Sequence, residues 1–344
     1  MISDYPCPLC KFRDWKPVQR YIYKAADHSP NSLFRNDRII SLVHYLTGFA
    51  RSFIYASPKP KRIRERLLNS YERLRREVLF RVWFPDKQEI AITSQYCLNC
   101  GFMAYSPRPD ENDISEKYRF LGEHSRPEEI EEYNSFLEND PYSKSNREHI
   151  YNLVMGGLKK ENIRILDCGG ASGWFVVPFA EHGCQCDLVD YETGQVAGIR
   201  KVGNNIHELN EKEIYDAIVC RAVLEHIADP LSVVKMFRNL LKKEGLVYAM
   251  VPCEIHAGIA RLGYDPVTHI NAFTPNSFEA LFRLADFEVS SGADEMSNIW
   301  ILAGKRAEGD MGISDFKLDI EKYLYPGRWE TLKKYVLNRI NPFK

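Results

Sequence analysis

Two CxxC turns, Cys7/Cys10 and Cys97/Cys100, offer four thiols to one ion. A CxxC turn converges two thiolates, and two such turns fill the tetrahedral shell that Zn2+ prefers, leaving no position for water or substrate. The expected role is structural. A second chemistry-bearing run lies in the other half of the chain, Ile163-Arg164-Ile165-Leu166-Asp167-Cys168-Gly169-Gly170-Ala171-Ser172-Gly173, where an apolar strand passes into a glycine-rich turn. Bare backbone there admits a ligand that a Cβ would exclude, and in an open α/β sheet such a turn sits at the carboxyl edge of the strands, where ligands bind. Asp190 closes the next apolar run, Asp187-Leu188-Val189, in a position from which a carboxylate accepts hydrogen bonds from both hydroxyls of a ribose. The spacing departs from GxGxxG, because counting from Gly169 the third residue is Ala171 and the sixth is Trp174. A nucleoside ligand without a pyrophosphate fits that departure.

Positioning these groups requires strands alternating with helices. Apolar runs at Arg164 to Cys168, Cys186 to Asp190, Tyr215 to Cys220, Gly245 to Val251, Phe287 to Gly292 and Ile299 to Gly304 read as strands, with a short further one at Asn205 to His207. Helical periodicity is clearest at Pro230 to Lys242 and Pro275 to Ala285. That alternation predicts βαβ units and a parallel sheet. Between the two CxxC turns, Ile39, Val43, Leu46 and Ala50 mark one helix and Ile63, Leu67, Tyr71, Leu74 and Val78 another, an insertion between two zinc knuckles. The reading divides the chain into a zinc-binding module with a helical insertion (1–110), a connector or lid helix (111–144, with its apolar face in Glu128 to Asp140), a ligand-binding domain (145–306) and a helical tail (307–344) centred on Trp329 to Ile340.

Composition narrows the class. At 44% hydrophobic and 27% charged residues, the 344-residue chain is globular rather than disordered. Lys and Arg outnumber Asp and Glu by 19 to 10 in residues 1–110, and are outnumbered 27 to 37 thereafter, giving +9 and −10. The most apolar stretch, Ile39 to Tyr55, is broken by His44, Gly48 and Arg51, which predicts no transmembrane helix. The first ten residues do not read as a secretory signal, so the expected compartment is the cytoplasm. Nine cysteines then serve as metal ligands or buried thiols rather than disulfides.

Taken together, the motifs resemble those of class I S-adenosylmethionine-dependent methyltransferases. Asp167, Gly169 and Gly173 match the first motif of that family, with Ala171 where a middle glycine is usual. Tyr215 to Ile227, Leu240 to Tyr248 and His269 to Pro275 are similar to its fourth strand and following loop, its fifth-strand approach and the segment before its last helix. The resemblance implies an α/β, Rossmann-like seven-stranded sheet, and S-adenosylmethionine as cofactor. It places Asp167 near the cofactor's amino-acid end and Asp190, with Tyr191 beside it, on the ribose. Gly169, Gly170, Ala171 and Gly173 form the floor, and Cys220 and Arg221 border the methionine part and the substrate entrance. Cys220 is equally open to a core role. Some members carry an N-terminal zinc-binding module, and Tyr96 to Pro109, ending in Pro107-Arg108-Pro109, looks like its second half.

Methyl transfer to a hydroxyl gains from a base, and histidine has the best-placed pKa. His226, after the fourth strand, and His269, before the last helix, are the catalytic candidates, with His256, Tyr264 and Asn271 as acceptor contacts in the long loop Cys253 to Phe273. The zinc-plus-methyltransferase arrangement resembles enzymes that modify sugars. The short stretch after the last strand favours O-methylation of a saccharide or other hydroxylated small molecule over C-methylation of a nucleotide sugar. A scaffold without catalysis is the contrasting class. Nucleic acid is disfavoured, because the ligand-binding half is acidic and lacks aromatic–basic interleaving. The arginines at 62, 64, 66, 73, 75, 76 and 81 either lie on an anionic membrane surface or pack on the acidic segment Glu128 to Asp140.

Overall fold

The computed structural model describes residues 1, 4–25, 75–124, 134–135, 137–191, 195–252, 266–293 and 298–306. The helices expected at Ile39 to Ala50 and Trp329 to Ile340 lie outside them, as do most of the helix from Ile63, most of Glu128 to Asp140, and His256 and Tyr264. Among the described residues no helix is long and apolar enough to cross a membrane.

Seven strands form the main sheet: β4 (Arg164–Cys168), β5 (Gln185–Val189), β6 (Ile199–Gly203), β7 (Tyr215–Arg221), β8 (Leu241–Pro252), β10 (Phe287–Ala293) and β11 (Asn298–Lys305). Their spatial order is β10-β11-β8-β7-β4-β5-β6. The pairs from β8 to β6 are parallel, and β11 runs antiparallel to both β8 and β10. This is the α/β arrangement of a class I methyltransferase, expected from the sequence. The chain winds outward from β4 through β5 to β6, then restarts on the other side with β7 and β8. The reversal opens a crevice at the carboxyl ends of β4 and β7, where open α/β sheets bind ligands.

Strands β4 and β7 are buried almost throughout, as expected of sheet interiors covered on both faces. Helix α2 (Pro141–Leu158) starts with Pro141 after Asp140, whose carboxylate accepts from Ser143 N, and it runs across residue 144, the expected end of the connector. Helices α4 (Pro230–Leu240) and α5 (Pro275–Arg283) start the same way, behind the caps Asp229 and Thr274. A short helix α3 (Val177–Glu181) follows the glycine turn.

Three sequence expectations need correction. Asn205 to His207 is not a strand: Asn205 caps a 3-10 turn at Ile206–Glu208, and the edge strand is β6, four residues earlier. Helix α4 ends at Leu240 rather than Lys242. Strand β8 follows at once, because Leu241 already pairs with Tyr215.

The N-terminal part is a sheet rather than a pair of bare knuckles. Strands β1 (Trp15–Lys24), β2 (Glu89–Cys97), β3 (Met103–Ser106) and β9 (Asn271–Ala272) pair antiparallel in that order. Strand β9 comes from the far side of the chain, just before α5. The cores are joined as well, since Cys7, Leu9, Cys97 and Phe102 belong to the same apolar cluster as Leu166, Ile218 and Phe237. Helix α1 (Glu111–His124) packs on the turn Val78–Trp83, where Trp83 Nε1 donates to Asp113 O.

Candidate functional site

The two CxxC turns are built alike. Lys11 N donates to Cys7 O and Gly101 N to Cys97 O, while Cys7 N donates to Phe12 O and Cys97 N to Phe102 O. The residue after each second cysteine turns left-handed, with φ of 61° at Lys11 and 71° at Gly101. Strand pairing between β1 and β2 brings the turns face to face, with Cys7 Sγ 3.6 Å from Cys100 Sγ and Cys10 Sγ 3.5 Å from Cys97 Sγ. All four sulfurs lie within 4.8 Å of one another. A disulfide needs about 2.05 Å, whereas sulfurs tetrahedral about zinc at about 2.3 Å stand about 3.7 Å apart. The cluster therefore suits a single tetrahedral cation, and burial works against leaving several thiolates there without one.

At the crevice, β4 ends in Asp167 and Cys168. Gly169 holds φ at 73° and its N–H donates to Val189 O, tying the ends of β4 and β5 together. A Cβ at Gly169 would collide with Val223, and one at Gly170 with the Asp167 carboxylate. Ala171 also adopts a left-handed conformation, φ 52°, a cost of roughly 1 kcal/mol for a residue with a Cβ. The twist aims its N–H at Asp190 Oδ2, 2.8 Å away. Gly173 completes the turn at φ 89°.

Asp167 is 1% exposed, and neither carboxylate oxygen finds a hydrogen-bond partner among the described residues. Its pKa is pushed up to about 8, first by burial and then by the charge of Asp190, against the pull of Arg221. Trp174, directly after the turn, likewise keeps a buried Nε1–H without an acceptor. Buried polar groups are nearly always paired in folded proteins. Two orphans at one glycine turn, beside a cradle that any Cβ would fill, fit a polar nucleoside ligand.

Tyr191 is 46% exposed and stacks on Tyr118 of α1 at 5.4 Å, while its hydroxyl accepts from Asn205 Nδ2. Arg221 lies over the Phe175 ring at 4.2 Å. Cys220 is fully buried against Cys168, so its side chain takes the core role rather than bordering an entrance.

His226 and His269 come together, with ring centroids 4.6 Å apart and edge to face. Between them stands Glu225, 1% exposed, which sequence reasoning missed. Its Oε1 lies 3.8 Å from His226 Nε2 and 3.9 Å from His269 Nε2. His226 Nδ1 is hydrogen-bonded to Thr268 O. A carbonyl only accepts, so Nδ1 carries the proton and Nε2 presents its lone pair to the cluster. Burial, His269 and Lys117 hold His226 well below the usual imidazole value, which outweighs the opposing Thr268 bond, so it stays neutral at neutral pH. The three donors are close enough to share a metal ion, but the same Lys117 charge that keeps His226 neutral opposes a second cation there. Proton transfer is the chemistry this trio suits better.

Asn271 does not face an acceptor. It is fully buried, and its Nδ2 donates to Leu224 O at 2.7 Å and Ile227 O at 2.8 Å.

Comparison with known proteins agrees with this geometry. Residues 142–291 match the family model described as a methyltransferase domain. The chain is 29% identical over 106 residues to the ubiquinone biosynthesis O-methyltransferases of Yersinia enterocolitica and Yersinia pestis, covering 27% of this chain. It spans 43% of the length of those relatives. Among solved structures, it is similar to Burkholderia thailandensis 1,6-didemethyltoxoflavin-N1-methyltransferase, which was crystallised with 1,6-didemethyltoxoflavin and S-adenosylhomocysteine. That likeness has 16% identity and a TM-score of 0.41, and covers 53% of this chain and 92% of that one. A S-adenosylmethionine-dependent methyltransferase of Mesorhizobium loti is 13% identical with a TM-score of 0.37, over 42% and 91% of the two chains.

Proposed function

We propose that the protein is a S-adenosylmethionine-dependent methyltransferase acting on a hydroxyl group of a small molecule, with a saccharide as the first acceptor to test. The observation that carries this reading is Asp167, a buried carboxylate with neither oxygen hydrogen-bonded among the described residues, set against a turn of bare backbone at the switch point of the sheet. Bound there, S-adenosylmethionine supplies an electrophilic methyl group on a sulfonium. Asp167 receives the ammonium of its amino-acid end, Asp190 the ribose hydroxyls, and Gly169 to Gly173 the close approach of the nucleoside, with Tyr191 and Arg221 at its margins.

His226 and His269 take the acceptor's proton. Displacement at a methyl group needs alignment and exclusion of water more than covalent help, so the proton is the step that side chains must manage. Neutral His226 presents Nε2, and a proton taken by either ring leaves an imidazolium within 4 Å of Glu225. The name of the Yersinia relatives, O-methyltransferases, supports oxygen as the accepting atom. The four cysteines hold a structural zinc ion.

The test is calorimetric titration with S-adenosylhomocysteine, followed by assay of labelled methyl transfer to hydroxylated metabolites and glycans. Absence of nucleoside binding sinks the reading. Ala at His226 or His269 should lower kcat about a hundredfold with binding intact. Because His226 takes up its second proton only well below pH 6.5, kcat should stay level from neutral pH down through 6.5.

A further inference from the structure

Arg108 follows β3 in the strap that leaves the four-cysteine unit, and it is 4% exposed. Its guanidinium reaches into the methyltransferase domain. Nη1 donates to Ile270 O at 3.1 Å, and Nη2 to Ala228 O and Asn271 Oδ1 at 2.7 Å each and to Ile227 O at 3.4 Å. The rings of Tyr5 and Phe102, from the cysteine unit, lie against its other faces at 5.8 and 5.9 Å. Ile227 follows His226, and Ile270 follows His269. One planar fork therefore grips the backbone immediately after both imidazoles. Asn271 completes the clasp, since its amide binds Leu224 O and Ile227 O on either side of Glu225 and His226, while its own backbone lies on β9, paired to β3.

We propose that Arg108 and Asn271 are positioning residues through which the four-cysteine unit sets the geometry of the His226/His269 pair. The cysteine turns hold β2 and β3, β3 holds β9 and the strap, and the strap's guanidinium fixes the two loops against each other. Neither segment needs to touch the cofactor floor, so the effect falls on proton transfer rather than on nucleoside binding. The inference rests on the assignment of the two histidines as the proton-accepting pair.

The test uses the full-length, zinc-loaded chain with carbon-13-labelled histidine. In Arg108→Gln, the His226 and His269 resonances should move together and the His226 midpoint should rise towards the ordinary imidazole value. At the same time kcat should fall about a hundredfold while affinity for S-adenosylhomocysteine stays within about twofold. Arg108→Lys keeps the charge but loses the fork, and should recover little of the turnover. Asn271→Asp keeps the oxygen that Arg108 donates to and gives up the amide, so it should shift the same resonances by less. Stripping the metal from the unmutated chain with a chelator should shift them too. Should Arg108→Gln fail to fold, Asn271→Asp and the chelator decide the matter. Imidazoles that stay in place in these experiments overturn the proposal, as does nucleoside affinity falling in step with kcat. If the imidazoles respond but no acceptor is methylated, the clasp stands and the enzymatic reading falls.

Discussion

Arg108 and Asp167 are both buried ionisable side chains, and they are treated in opposite ways. The arginine donates to four oxygens and lies against two aromatic rings, whereas the aspartate has no hydrogen-bonded oxygen among the described residues and feels the charge of a second carboxylate. A satisfied buried charge locks the segments it touches. An unsatisfied one stores free energy that a ligand of opposite charge can release. The strap is thus built for rigidity and the cofactor edge for occupancy.

That contrast can be broken first at its metal end. Replacing Cys7 and Cys100 with Ser should abolish zinc in native mass spectra and remove hydrogen-exchange protection from β1 to β3, since structural zinc contributes on the order of 10 kcal/mol. Next in size, Arg108→Met strands the carbonyls of Ile270 and Ala228 and should cost roughly 3 to 5 kcal/mol in urea unfolding. The opposite sign is expected at Asp167. Between the ordinary carboxylate value and about 8, the folded chain keeps a proton that the unfolded chain has released, so ligand-free stability falls as pH rises through that window. Asp167→Asn escapes this loss. At pH 8 it should be more stable than the parent by roughly 1 to 3 kcal/mol yet bind S-adenosylhomocysteine at least about tenfold more weakly. Equal stability of the two proteins at pH 8 would show that the aspartate carries no stored strain. The smallest effect belongs to Ala171→Gly, which relieves a left-handed alanine at the cost of backbone entropy and should gain less than about 1 kcal/mol in thermal unfolding.

What could be read from the sequence follows how local each signal is. Strands β4, β7 and β8 announce themselves as apolar runs, α4 and α5 by cap, proline and period, and the cysteine turns by spacing. Asp167 and Asp190 are legible because both sit at strand ends beside a turn with glycines. Strand β6 has only Ile199 and Val202 as apolar residues, so the short strand was read instead at Asn205 to His207, where Asn205 in fact caps a turn. Strands β1 and β2 pair across the 64 residues between Lys24 and Glu89, and β1 alternates poorly, with Lys16, Pro17 and Gln19 in its first half. Glu225 and Arg108 were out of reach for a different reason. Each is an ordinary polar residue until the fold brings distant partners to it, two imidazoles in one case and loop carbonyls in the other.

Strand β9 is only two residues long, yet it decides what can be cut from this molecule. Residues 271 and 272 close the edge of a sheet whose other three strands lie before residue 107. Severed at the strap, the front piece would expose an open strand edge, and the rear piece would bare the apolar side that Leu9 and Phe102 now cover. The cysteine unit is therefore no cassette to graft onto another transferase, and each piece expressed alone should aggregate unless the other is made beside it.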